Sequence, residues 1–330
     1  MIKKWLMISL KIAVSIGLIW YIFDRLDLDL NRVAGELRQI DFLMLVAALS
    51  ALGVQACIGG IRWRAVAIAI DAPLTFLNAL RLFYIGMFFN QALPGGTGGD
   101  AVRMYLGYRV GHSLRGAINS VMLERVVTVV ALVLLVDIAL PFLTPTSGIE
   151  KLNFIRTATV LISLAAVTGI AFLMLLDRLP ERMCKWKIVR GLGYLANDTR
   201  RLFLSFRHAS IAIFWGLLTH INLSFVVFLL ASGLGLSVTF FDCLMLVPPV
   251  VLVVTLPISI GGWGIREGAM VFAFGLIGVP GDSALVLSVM VGLAGLAISL
   301  PGGLVWLFSH ERDQGVNLDH IEEELSAPKF

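Results

Sequence analysis

Two clusters of polar and charged residues interrupt otherwise apolar sequence, and each follows a proline and a run of glycines. The first reads Asn90-Gln91-Ala92-Leu93-Pro94-Gly95-Gly96-Thr97-Gly98-Gly99-Asp100, with Arg103 about one helical turn on. The second reads Leu256-Pro257-Ile258-Ser259-Ile260-Gly261-Gly262-Trp263-Gly264-Ile265-Arg266-Glu267. Such stretches suit anion binding. Gly95, Gly96, Gly98 and Gly99 put no side chain between the backbone amides and a ligand. A helix beginning near Asp100 would point free N–H groups at an anion such as a lipid phosphate. Arg103 can contact that phosphate or pair with Asp100 at i,i+3. The alternative for the first cluster is a tight turn closed by an Asp cap, with Arg103 on the surface. In the second cluster Gly261 and Gly262 open a wet pocket, with Arg266 on phosphate and Glu267 capping or pairing. A purely structural Arg266–Glu267 salt bridge is its rival.

Glu124 and Arg125 lie about two turns into an apolar run that starts near Gly116. Ionisable groups inside such runs are costly and turn toward partners or a cavity. Adjacent helix positions point about 100° apart, so the two need different partners. Arg125 can meet Asp100, and Glu124 can meet Arg103 or Arg62, forming a charge cluster beneath the first interruption. Shallow placement with both side chains snorkelling to the interface is the alternative. His220 and Asn222 sit midway along another apolar run. A hydrogen bond to a neighbouring helix is the ordinary role for such a histidine; His220, with Glu124, is also a candidate proton relay. Asp242, Asp137 and Lys11 fall nearer the ends of runs, where they read as interfacial. Cys57, Cys184 and Cys243 have no paired spacing and the five histidines form no metal-ligand pattern, so neither a metal, a cofactor nor a disulfide framework is expected. No Walker sequence points to ATP as a direct drive.

The elements that must carry these residues are membrane helices. Hydrophobic residues make up 58% of the chain and charged ones 15%, with a mean hydropathy of +0.90, too apolar for a water-soluble domain of this size. Apolar runs predict full spans at 5–23, 42–61, 116–140, 157–176, 209–231 and 283–308. Residues 5–23 follow Lys3 and Lys4 but lead into Asp24-Arg25 without a cleavage site, so they read as a retained span. The interrupted units cover 76–103 and 240–279, and their prolines are separated by close to half of the 330-residue chain. Paired interrupted segments in matching halves point to a site near the bilayer midplane.

Basic residues orient the chain. Segment 177–208 carries Arg178, Arg182, Lys185, Lys187, Arg190, Arg200, Arg201 and Arg207, whereas 24–41 is dominated by Asp24, Asp27, Asp29, Glu36 and Asp41. Placing 177–208, Lys3, Lys4, Arg62 and Arg64 inside puts both termini in the cytoplasm. Basic residues then flank the first interrupted unit on one side of the membrane, which makes it a re-entrant hairpin from the cytoplasm. The second unit dips in from the opposite face, as an inverted repeat would. The expected fold is an all-α polytopic membrane protein, residues 1–310 forming one transmembrane domain and 311–330 an acidic cytoplasmic tail. Loop 177–208 reads as an amphipathic helix lying on anionic headgroups, with gating or lipid recruitment as its alternative role.

Arg62-Trp63-Arg64, Phe88-Phe89-Asn90-Gln91-x-Leu93-Pro94-Gly95, Gly98-Gly99-Asp100-x-x-Arg103, Glu124-Arg125 and Pro257–Glu267 together resemble the lysylphosphatidylglycerol synthase transmembrane-region family over roughly residues 5–310. The resemblance implies a flippase-like unit that moves lipids or lipid-linked groups between leaflets. Bifunctional members carry a soluble aminoacyl-transfer domain after this unit. Here the chain stops about twenty residues after its last expected span, so neither that domain nor aminoacyltransferase activity is expected.

The functional expectation is a non-enzymatic translocase of a phospholipid or polyprenyl (isoprenoid) lipid in a bacterial cytoplasmic membrane. Its anionic headgroup would be bound by Arg62, Asn90, Gln91, Gly95, Gly96, Gly98, Gly99, Asp100, Arg103, Glu124, Arg125, Gly261, Gly262, Arg266 and Glu267. Lipid-synthesis enzymes are candidate partners, and nothing points to nucleic acid. The rivals are an integral-membrane transferase acting on a lipid phosphate and a non-transporting scaffold for lipid or envelope synthesis.

Overall fold

The computed structural model describes residue 35 and residues 40–92, 98–142, 149–178, 187–255 and 263–309. The expected first span at 5–23, the tips of both interruptions and the acidic tail lie outside the described residues. Among the described residues the chain forms ten α-helices and no strand. They are α1 (Phe42–Ala69), α2 (Phe76–Ala92), α3 (Gly98–Arg109), α4 (Leu114–Ala139), α5 (Ile149–Met174), α6 (Lys187–Phe203), α7 (Phe206–Gly233), α8 (Phe240–Val254), α9 (Ile265–Gly275) and α10 (Gly281–Leu307).

Helices α1, α7 and α10 are long and apolar enough to cross a membrane. At a rise of about 1.5 Å per residue each exceeds the ~30 Å hydrocarbon core. Their outward faces, and that of α5 with Val160, Leu161, Leu164, Val167 and Phe172, leave large apolar side chains uncovered. Such a surface is stable only against lipid. The molecule is an all-α polytopic membrane protein.

Local chemistry sets the helix ends. Asp41 Oδ1 accepts from the Leu43 amide at 2.7 Å and starts α1. Helix α1 stops where Asp71 turns to φ 58°, ahead of Pro73. A reciprocal capping box opens α8: the Asp242 amide donates to Thr239 Oγ1 at 3.1 Å, and the Thr239 amide to Asp242 Oδ2 at 2.8 Å. The apolar run expected to end at 61 in fact continues as helix to Ala69. Arg62 and Arg64 end the run in sequence but not the helix, because Arg62 is buried against protein and Arg64 Nε donates to the Leu74 carbonyl at 3.1 Å.

Each interrupted unit is a pair of helices rather than one span: α2 with α3, and α8 with α9. Helix α3 runs antiparallel to α2, since Gly99 lies against Gly86 and Asn90 while Arg103, further along α3, lies back against Gly86 and Phe83. The longest packing seam joins α1 to α7. One core unites α1, α7, α8, α9 and α10 around Leu52, Leu230, Leu246, Phe274 and Leu287. A second unites α1 to α4 around Trp63, Leu82, Ile85, Leu106 and Val121.

Helix α6 departs from expectation. Its described apolar residues are covered by protein. Leu195, Ala196 and Leu202 are buried against Val66 of α1, Ile70 at its C-terminal cap, and Leu123 and Val127 of α4. Buried Asp198 accepts from Arg115 Nη2 at 2.6 Å and from Asn119 Nδ2 at 2.7 Å, fastening α6 to the start of α4. Two of its arginines are neutralised as well, Arg200 by Asp177 and Arg201 by Asp71.

Candidate functional site

Gly99 permits the closest approach in the first hairpin. A methyl group there would lie 2.7 Å from Asn90 Oδ1 and closer still to the Gly86 carbonyl oxygen. With no side chain in the way, the Gly99 amide donates to Asn90 Oδ1 at 2.9 Å. This ties the first turn of α3 to the last turns of α2 and brings Asp100 and Arg103 against α4. Gly86 makes room for the Arg103 stem, whose Cδ would meet a methyl at that position at 2.6 Å.

Five charged side chains from three helices then fasten to one another. Arg125 grips Asp100 through two parallel bonds, Nε to Oδ2 at 2.6 Å and Nη2 to Oδ1 at 2.9 Å. Arg103 Nη1 donates to Glu124 Oε2 at 3.1 Å and lies 3.4 Å from Asp100 Oδ1. Arg62 of α1 donates from Nε to Glu124 Oε1 at 2.8 Å, also reaches that oxygen from Nη2, and uses Nη1 on Thr219 of α7. Glu124 is 0% exposed and Arg103 2%. Buried ions of this kind persist only when paired. The Arg103 guanidinium also stacks on aromatic faces, its Cζ 4.3 Å from the Trp63 ring centre and 4.7 Å from that of Phe83. Trp63 is held in turn by its indole N–H, which donates to Ser120 Oγ at 3.1 Å.

One edge of the cluster makes no hydrogen bond among the described residues. Arg103 Nε and Nη2 are buried without a hydrogen-bond partner among the described residues. Leaving a buried donor unmade costs about 1–3 kcal/mol, more for a charged group. Next to the cluster, His220 Nε2 lies 3.0 Å from the Thr128 carbonyl oxygen, an acceptor, so Nε2 carries the proton. The His220 Nδ1 lone pair is buried without a partner among the described residues. Thr219 and His220 stand halfway along α7, a candidate span by length and composition.

The second interruption is built differently. Glu267 accepts from the Gly264 amide, capping α9, while Arg266 Nη2 donates to Glu267 Oε1 at 2.6 Å. Arg266 Nε bonds the same carboxylate oxygen and Ser288 Oγ, both at 3.2 Å, and its Cζ stacks 4.5 Å from the Trp263 ring centre. Here the charges are matched one to one. Arg266 and Glu267 form a salt bridge, and Glu267 caps α9, contacts common to both readings of the second cluster.

Both interruptions converge on α10. A methyl at Gly292 would lie 2.7 Å from Arg266 Nη1, and one at Gly295 would lie 3.7 Å from Gln91 Nε2. These glycines are one turn apart on one face, near the middle of a candidate span. Of the residues singled out from sequence, Arg62, Asp100, Arg103, Glu124 and Arg125 form one cluster, with Asn90 and Gly99 at its edge and Gly98 opening α3. Gln91, Arg266 and Glu267 meet α10, and His220 adjoins the cluster through Thr128. Gly95, Gly96, Gly261 and Gly262 lie outside the described residues. Sequence reasoning missed Thr219, Trp63 and Phe83. Only the flanking arginines of Arg62-Trp63-Arg64 could have drawn attention to Trp63.

A family model described as the lysylphosphatidylglycerol synthase TM region matches residues 8–303. Comparison with curated proteins returned no match.

Proposed function

The chain belongs to the lysylphosphatidylglycerol synthase transmembrane-region family, and on that premise we propose that it is a translocase for a lipid with an anionic headgroup. The family ties it to membrane lipids. Transport between leaflets, rather than chemistry on the lipid, is our reading of the site. The observation that carries it is the Arg62–Glu124–Arg103–Asp100–Arg125 cluster, buried except for half-exposed Arg125, beside a helix-pair interruption and against the candidate spans α1 and α7. An ionic cluster in that position is expensive and is the mark of a polar path for a polar cargo.

The headgroup phosphate binds at the first hairpin against Arg103, while the acyl chains remain in lipid. The convergence of Gln91 and Arg266 on Gly295 and Gly292 supports two hairpins that meet on α10, and we read them as entering from opposite faces. In this reading the halves are an inverted repeat, the face bearing α6 is cytoplasmic, and the membrane is a bacterial inner membrane. The cargo is a phospholipid or a polyprenyl lipid, and transport is passive or coupled to an ion gradient.

Proteoliposomes loaded with fluorescent lipid test the proposal. Wild-type protein transfers lipid between leaflets, and Arg103→Ala and Glu124→Gln lose transfer while remaining folded by circular dichroism. No transfer of anionic, zwitterionic or polyprenyl lipids by folded wild type refutes it.

A further inference from the structure

The free edge of Arg103 has a definite shape. A guanidinium offers its donors in fixed forks, and Nε–H with the neighbouring Nη2–H forms the side-on fork that grips two oxygens in parallel. Arg125 spends this fork on Asp100, and Arg115 spends its own on Asp198, each with one nitrogen per carboxylate oxygen. Arg62 spends both nitrogens on Glu124. Arg103 alone among these four binds its carboxylates through Nη1 and keeps Nε and Nη2 unpartnered among the described residues, although it is 2% exposed. The charge balance agrees with the geometry. Three guanidinium charges (Arg62, Arg103, Arg125) against two carboxylate charges (Asp100, Glu124) leave one positive charge unmatched. The second interruption adds none, because Arg266 is matched by Glu267.

We propose that the side-on edge of Arg103 is the receptor for one monoanionic phosphodiester, taking its two non-bridging oxygens, and that the site discriminates against diphosphates and phosphomonoesters. This rests on the headgroup-binding reading above and chooses between the lipid classes left open there. A phosphodiester carries a single negative charge and presents two equivalent oxygens, matching one fork and one surplus charge. A polyprenyl diphosphate or a phosphomonoester brings further charge, which would sit buried against Asp100 and Glu124 without a compensating cation.

The test is binding to wild-type protein in detergent micelles, read by tryptophan fluorescence, since Trp63 lies against the receptor. The probes are short-chain phosphatidylglycerol, short-chain phosphatidic acid and farnesyl diphosphate, with dimethyl phosphate as a soluble phosphodiester. Phosphatidylglycerol is expected to bind about tenfold or more tightly than either rival, the discrimination expected when buried charge is left unpaired. Arg103→Lys, which keeps the charge but removes the fork, is expected to lose about 10- to 100-fold in phosphatidylglycerol affinity, the loss of one charge-assisted bond. Displacement by dimethyl phosphate at the lipid's own concentration assigns the site to the free anion. Displacement only in large excess assigns it to the lipid headgroup. Either result keeps the phosphodiester chemistry.

Equal or tighter binding of farnesyl diphosphate or phosphatidic acid by wild type overturns the proposal, and so does no phosphodiester binding. That comparison requires no variant to fold. If wild type transfers lipid in proteoliposomes but prefers the diphosphate, only this inference fails. If it prefers the phosphodiester yet transfers nothing, only the translocase reading fails.

Discussion

Replacing Glu124 by glutamine should destabilise the fold through the charges it leaves behind. Glu124 is 0% exposed and accepts from Arg62 and Arg103 across three helices. Glutamine has the same shape and keeps one acceptor oxygen, so it can still serve Arg62 Nε. Its amide nitrogen, however, would face Arg103 Nη1, donor against donor. The cluster would then hold three guanidinium groups against Asp100 alone. Removing one partner of a buried pair costs about 3–5 kcal/mol, most of it the penalty on the charge that remains.

A double-mutant cycle with Arg62→Met tests that reasoning. Removing Arg62 and Glu124 together takes away one charge of each sign and returns the surplus to a single positive charge. The double variant should therefore lose less stability than the two single variants combined, with a coupling of about 1–3 kcal/mol. Thr219 does not complicate the cycle, because its hydroxyl also donates to the Trp215 carbonyl at 2.8 Å. Unfolding in detergent micelles, followed by tryptophan fluorescence, measures all four corners. A Glu124→Gln loss below about 1 kcal/mol, or additivity within about 0.5 kcal/mol, would refute the argument that these charges hold one another in place.

Three further outcomes follow from other parts of the molecule. Gly99→Ala drives a methyl into Asn90 Oδ1 and the Gly86 carbonyl, and should cost about 1–3 kcal/mol as an overpacked contact, measured by the same unfolding assay. Asp198→Ala removes the shared partner of Arg115 and Asn119; hydrogen exchange in α6 should quicken about tenfold or more for the lost charge-assisted bonds, while the middle of α4 stays protected. His112, in the turn between α3 and α4, has its pKa lowered from 6.5 by burial. Its stabilising contribution is thus whole above pH 6.5 and is lost as pH falls from 6.5 through the lower folded value. His112→Gln should accordingly lose less thermal stability than wild type between pH 8 and pH 5, about the range in which a histidine changes charge; equal losses would remove His112 from the account.

Charges were the most legible part of the site because lipid leaves them few choices. Glu124 and Arg125 in an apolar run called for partners or a snorkelling path to the interface, and the structure pairs Glu124 with Arg62 and Arg103, and half-exposed Arg125 with Asp100. The interruptions were legible for a related reason, since proline and glycine cannot continue a helix without loss. What the sequence concealed is carried by residues whose types are ordinary. Trp63 and Phe83 are two aromatics in a chain rich in them, and nothing in their spacing marks them as the faces on which Arg103 stacks. The amphipathic pattern of α6 was visible, but pattern cannot distinguish protein from headgroups as the cover for an apolar face. Asp198 settles that choice, because a carboxylate at 1% exposure must have partners and finds them on α4.

The same physics explains why two similar interruptions end so differently. At the second, the carboxylate follows its arginine directly, so Glu267 can cap α9 and neutralise Arg266 without help from another helix. At the first, Asp100 precedes Arg103 by three positions and is already gripped by Arg125, lying only 3.4 Å from Arg103 Nη1. Arg103 must therefore reach across to Glu124, which Arg62 shares, and one fork is left over. A self-contained pair can serve as a fixed hinge point for a hairpin. A carboxylate shared among three helices, with one cation in excess, is what the proposed anion-binding role of Arg103 requires.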